Sequence, residues 1–255
     1  KELGALIVFL RPLGLRLGDG IILIEKGQNA DFEMVMYNAD GSRGAMCGNG
    51  IRCVAKYVYD HKLTDKTTVT IASMGAVKTI NIQVQDGVAV GASVDMGAPI
   101  LDPAAIPVVT DCKPPVDVPI TVHDTVYKMT CVSMGNPHAV VFIDHSPREF
   151  PLEQVGPLFE HHPCFPDRTN TEFAFVQDRQ NIEMRVWERG SGETLACGTG
   201  ACATAVAAIL GGYVDHRVTV HLLGGDLQIS WSGKAKDSVM MTGPATTVFS
   251  GKIDL

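Results

Sequence analysis

From Asn181 to Glu188 apolar and polar positions alternate, with Ile182, Met184 and Val186 on one face. A period of two predicts a half-buried strand. A Gly- and Ser-containing loop follows, and then Ala201 to Leu210, apolar all round, which predicts a helix buried on every side and ended by Gly211-Gly212. The pattern changes to a 3.6-residue period in an earlier helix, where Ile51, Val54, Ala55 and Val58 share one face. Further strands are expected at 67–73, 78–84, 89–95, 128–133, 139–143, 171–177, 217–222, 226–231 and 246–250. The Pro-rich stretch 112–119 is expected to be a loop or linker. Many strands with one principal helix per half predict an α+β domain, used twice.

The halves are related in sequence. Residues 31–58 align without a gap on residues 181–208, an offset of 150. Glu33 and Met34 meet Glu183 and Met184, Tyr37 meets Trp187, and Asn38 meets Glu188. Cys47, Gly48 and Gly50 meet Cys197, Gly198 and Gly200. Each copy reads strand, turn, helix, and each sets a cysteine at the turn that opens the helix.

Composition narrows the setting. The 255 residues carry 45% hydrophobic and 19% charged side chains and a formal net charge of -7. No cluster of Lys and Arg is present, which argues against nucleic acid as a partner. No apolar run is long enough to span a bilayer, so no membrane partner is expected. No signal peptide is visible. Seven cysteines, an odd number without a C-x-x-C pair, predict reduced thiols in a cytoplasmic protein, with neither a disulfide framework nor a structural zinc site.

Two thiols at equivalent helix starts suggest specific chemistry. The first N–H groups of a helix lack intrahelical partners and carry partial positive charge. That setting is expected to lower a thiol pKa and to bind a carboxylate. Like domains often pack about an approximate two-fold axis, which would bring Cys47 and Cys197 face to face. One thiolate would then remove the α-proton of an amino acid while the opposite thiol delivers a proton to the other face. This is two-base racemisation or epimerisation without a pyridoxal or metal cofactor. The plainer reading of either cysteine is a small buried residue, and Cys53 and Cys202, unrelated by the offset, are read as core packing. Asn38 before Asp-Gly could be a turn residue, Glu188-Arg189 a solvated strand end, Asn136-Pro137 a turn and His138 a core histidine.

The stretches "NADGSRGAMCGNGIRC" (38–53), "MGNPHAVVF" (134–142), "RTNTEF" (168–173) and "WERGSGETLACGTGAC" (187–202) resemble the diaminopimelate epimerase family. The resemblance implies two similar domains related by a pseudo-two-fold axis. Each would be a curved, mixed or antiparallel sheet around a central helix, with the substrate between them. It implies domains over 1–105 and 106–245, with 246–255 returning to the first. Cys47 and Cys197 would be the acid–base thiols. Backbone N–H groups of Gly48, Asn49, Gly198 and Thr199 would hold the reacting carboxylate. Asn38, Asn136, Asn170 and Arg189 would bind the distal carboxylate, Glu188 an ammonium group, and His138 would shape the site. The implied reaction converts LL-2,6-diaminopimelate to the meso form in lysine and peptidoglycan precursor synthesis, with a small amino acid as partner and a homodimer allowed.

The chain departs from the family pattern at its start. The family's opening "GxGNDF"-type loop does not stand in residues 1–30, where Gly18, Asp19 and Gly20 match only a later Gly-rich loop. A racemase of another amino acid on the same scaffold, or an inactive relative, is the alternative. Outside that class stand a redox or metal-binding module and a non-catalytic amino-acid binder.

Overall fold

The computed structural model describes residues 20–38, 41–44, 47–248 and 250–251, together with the backbone course of 6–9. Gly18, Asp19 and part of the expected 246–255 return lie outside the described residues. The chain divides into two compact units, one built from residues up to Asp95 together with those from Thr242 on, the other from Met96–Met241.

In the first unit the strands β1 (Leu6–Phe9), β2 (Gly20–Lys26) and β3 (Phe32–Asn38) pair antiparallel in that order. β4 (Thr68–Ser73), β5 (Ala76–Gln85) and β6 (Val88–Asp95) extend the order antiparallel. β3 and β4 pair in parallel, which needs a crossover, and α1 (Gly48–Asp60) supplies it. Ile51, Val54, Ala55 and Val58 are fully buried, and α1 packs on β5 and β6. Each such Ile or Val, moved out of water, contributes about 1.5–3 kcal/mol. The helix stops without a glycine: Lys62 takes the left-handed conformation at φ 59°, and Leu63 N–H reaches back to Val58 O at 2.9 Å.

In the second unit β7 (Val118–Val122), β8 (Thr125–Ser133) and β9 (Pro137–Phe142) pair antiparallel in sequence order. The helix α2 (Leu152–Glu160) carries the chain to β10 (Asn170–Asp178), which lies parallel to β9. β11 (Asn181–Glu188) returns antiparallel and is flanked by the short β12 (Gly192–Thr194). The helix α3 (Gly198–Leu210) crosses to β13 (Arg217–Leu222), parallel to β11, and β14 (Gly225–Ser230) follows antiparallel. Leu152, Phe159 and Phe173 anchor the core on the α2 side, with the Phe159 and Phe173 rings edge to face at 5.4 Å. Every residue from Gly200 to Ala208 is buried, as the all-apolar run of α3 requires.

The sequence repeat is therefore a structural repeat. In each unit a strand leads into a 13-residue helix that crosses to a parallel neighbour, β3–α1–β4 and β11–α3–β13.

Some expectations are corrected. Residues 246–248 and 250 are not strand, and Val248 is 87% exposed. The returning strand is instead β15 (Met240–Pro244), whose Thr242 hydroxyl donates to Ser93 on β6 at 2.9 Å. After Ala245 N–H bonds Val90 O, the alternation of 246–250 finds no strand to pair with among the described residues. The Pro-rich 112–119 is loop only as far as Asp117. β7 begins at Val118 and tolerates Pro119 because it lies at the end of the strand order, where a missing N–H costs no ladder bond. The pattern reading did not predict α2, because Gly156 and Pro157 interrupt its nine residues.

Candidate active site

Both helices open on a thiol in the place usually held by Ser, Thr, Asp or Asn. Cys47 (φ -107°, ψ 112°) and Cys197 (φ -120°, ψ 109°) are extended N-caps. Each Sγ accepts the N–H of the third helical residue, Gly50 at 3.4 Å and Gly200 at 3.3 Å. Cys197 O accepts Ala201 N–H, and Cys47 O accepts Ile51 N–H. The first two N–H groups of each helix, on Gly48 and Asn49 and on Gly198 and Thr199, are the orphan donors that remain among the described residues. They form a pair of aligned donors beside a sulfur in each unit.

Cys197 is 6% exposed, and its surroundings oppose ionisation. Burial pushes its thiol well above the ordinary value, reinforced by the carboxylates of Glu188 and Glu172; Thr199 and the Gly200 N–H pull it down. The expected lowering by the helix end is thus overridden at Cys197, because desolvation of a buried thiolate outweighs one turn of helix dipole. Glu188, at the end of β11, is also raised by burial. Its carboxyl accepts a hydrogen bond from the Thr194 hydroxyl.

Behind the thiol lies a buried polar row. His138 on β9 and Glu172 on β10 are both fully buried, with Nδ1 and Oε1 2.7 Å apart. Nε2 of the same ring faces the Asn136 amide at 3.0 Å. Parallel pairing of the two strands sets Asn170 opposite His138, and Glu172 lies two residues on, on the same face. Asn170 is 4% exposed; its amide donates to Pro137 O at 2.7 Å and accepts Arg189 N–H at 2.9 Å. Arg189 itself is exposed and donates to Asp167 O at 2.9 Å. The Arg189–Gly190 turn is held from the other side by buried Glu160, which accepts Gly190 N–H at 2.9 Å and Trp187 Nε1–H at 2.7 Å.

In the first unit Cys47 is half-buried. The buried Arg52 guanidinium, one turn along, donates to Gly48 O and Asn49 Oδ1, both at 3.1 Å, and to Pro244 O at 3.3 Å. Asn38 is exposed, and its backbone and side-chain amides both bond Ser42, at 2.8 and 3.0 Å. It is a turn former in this structure. Cys53 is pushed up by burial, and Cys202 is fully buried.

The second unit thus gathers Asn136, His138, Asn170, Glu188, Arg189, Cys197, Gly198 and Thr199, and the first gathers Cys47, Gly48 and Asn49. The sequence reading did not single out Glu172, Glu160, Arg52 or Thr194. For Glu172 a signal existed: a lone charge in the otherwise uncharged run "TNTEFAFVQ". No group of three His, Cys, Asp or Glu able to hold a metal occurs among the described residues.

The sequence pattern of diaminopimelate epimerase matches residues 6–101 and 130–248. A diaminopimelate epimerase of Methanococcus maripaludis is 54% identical over 237 residues, spanning 93% of this chain and 85% of its own length. One from Acetivibrio thermocellus is 51% identical over 237 residues, spanning 93% and 84%. Among solved structures, a probable proline racemase of Agrobacterium radiobacter superimposes with a TM-score of 0.70 at 16% identity, covering 96% of this chain and 78% of that one. A PhzF-family phenazine biosynthesis protein of Bacillus anthracis gives 0.63 at 15% identity, covering 90% and 83%. These two likenesses concern the fold.

Proposed function

The chain belongs to the diaminopimelate epimerase family, and on that footing we propose that it interconverts LL- and meso-diaminopimelate with Cys47 and Cys197 as its two acid–base groups. The observation that carries the reading is the matched pair of thiol caps, each beside two orphan helix N–H groups.

In the forward step one thiolate takes the α-proton and becomes a thiol. The electron pair is left on the α-carbon and spreads into its carboxylate. Helix N–H groups of Gly48, Asn49, Gly198 and Thr199 meet that charge. The other thiol then gives its proton to the opposite face and becomes the thiolate, so the enzyme returns with its two protonation states exchanged. Burial favours the thiol at Cys197, which suits it to donate. At the distal end Arg189 presents a planar fork suited to a carboxylate, with Asn136 as a further donor. Asn170 acts there through the Arg189 backbone N–H that it fixes.

This chemistry asks for no pyridoxal phosphate and no metal; neither a chelator nor added pyridoxal phosphate should change the rate. A cytoplasmic setting accords with seven cysteines, all described and none in a disulfide. No helix among the described residues is long and apolar enough to cross a membrane.

The test is incubation with LL-diaminopimelate in D2O. Deuterium should enter the α-carbon as the meso isomer forms, and intact protein giving neither would end the reading. Cys47→Ala and Cys197→Ala should each lose epimerisation. Each should still eliminate a β-leaving group from one stereoisomer of a suitable analogue, and the two from opposite isomers. Elimination from the same isomer by both would refute the two-base assignment.

A further inference from the structure

Glu172 has no part in the two-base scheme, yet the fold treats it as a fixed point. It is a fully buried carboxylate whose Oε2 has no hydrogen-bond partner. Burying a charge with one oxygen unbonded costs free energy, and an apolar residue of similar size is commonly the more stable choice. Stability therefore does not explain it; its contacts do. Oε1 stands 2.7 Å from Nδ1 of His138. On its other side a Cβ placed on Gly200 would come within 2.7 Å of the same oxygen and within 3.3 Å of Cys197 Sγ. The carboxylate is thus wedged between the imidazole and the first turn of α3, the turn that carries the Cys197 thiol cap. Glycine at 200 is what makes room for it.

We propose that Glu172 is a positioning residue of the epimerase centre. Its carboxylate holds Nδ1 of His138 and fixes the ring plane against α3, so that Nε2 stays at Asn136 Oδ1. His138 enters through a β-strand that ends a turn containing Asn136, so a ring free to rotate about its side-chain bonds would lose the 3.0 Å contact to that amide. The inference rests on the epimerase reading for its consequence, but the clamp itself can be measured without turnover.

The experiment uses the full chain and two variants. Glu172→Met keeps length and volume and deletes the acceptor. Glu172→Gln keeps an acceptor oxygen and deletes the charge. Glu172→Met should lower kcat about tenfold or more, because the ring, and with it Asn136, is released. Glu172→Gln should recover part of that loss. A merely structural carboxylate would change the melting temperature and leave the kcat of the folded protein alone. Folded Glu172→Met with wild-type kcat overturns the proposal. Should Glu172→Met not fold, ring-nitrogen NMR of the wild-type protein decides. His138 Nδ1 carrying the proton supports the clamp, and a bare Nδ1 overturns it. Wild-type protein without epimerase activity would sink the functional reading, while the nitrogen measurement still judges the clamp on its own.

Discussion

The Gly200 N–H donates to the Sγ of Cys197 at 3.3 Å, yet burial, reinforced by the carboxylates of Glu188 and Glu172, raises the proton affinity of that thiol. The resting state at this end of the site is therefore a protonated thiol. In the folded protein the Cys197 thiol titrates above 9.0, the value expected in the unfolded chain. Below pH 9 both states hold the proton and the stabilising effect is fully present. As pH rises past that value the unfolded chain releases its proton first, so stability falls. The melting temperature should drop above pH 9 more steeply in wild type than in Cys197→Ala. Cys164, raised to about 11 by burial, should contribute its own loss between 9.0 and about 11. Near pH 7 iodoacetamide should modify Cys197 slowly in the unliganded protein, and mass mapping that found it the fastest-reacting thiol would contradict this picture.

Arg189→Lys should not behave as a conservative change. Lysine keeps the charge but loses the planar fork and the donation to Asp167 O that holds the guanidinium. Loss of one charge-assisted hydrogen bond costs about 1.5–3 kcal/mol, or roughly tenfold to a hundredfold in kcat/KM. The penalty should fall on diaminopimelate and spare an analogue lacking the distal carboxylate. Equal losses on both would show that Arg189 does not read that end.

Asn170→Ala should destabilise the protein as well as weaken the site. Its buried amide ties Pro137 O to the Arg189 N–H, bridging β9 to the turn after β11. Leaving the buried Pro137 O unpaired costs about 1–3 kcal/mol, and the part-buried Arg189 N–H loses its acceptor as well. Urea unfolding should show this loss, accompanied by a higher KM for diaminopimelate. Unchanged stability would place the amide in the wrong role.

Gly200→Ala should lower stability by about 1–3 kcal/mol despite the better helix propensity of alanine. The new methyl would meet Glu172 Oε1 at 2.7 Å and crowd Cys197 Sγ at 3.3 Å. Thermal melting measures the first effect, and a fall in kcat measures the displacement of the thiol. A stabilised and fully active variant would mean that the carboxylate moves aside at no cost.

Much of the framework is local, and local features are written in the sequence. The alternation in 181–188, the apolar run from Ala201 and the glycines around each cysteine predict β11, α3 and the caps, because strand and helix periods and N-terminal turns depend on residues within four positions of one another. The repeat at an offset of 150 likewise predicts that α1 and α3 open alike. Tertiary structure decided what depends on distant neighbours. Glu172 meets His138 only because β9 and β10 pair in parallel across the α2 crossover. Cys197 keeps its proton because strands and carboxylates far along the chain close over a helix end that, taken alone, would favour the thiolate. Asn38, Asn170 and Arg189 look alike as polar residues in motifs, yet one forms an exposed turn, one is buried between backbone groups, and one projects an exposed fork. A sequence carries the chemical type and local geometry of each group; burial and long-range pairing, which set its dielectric surroundings and free hydrogen-bonding capacity, exist only once the sheets have formed.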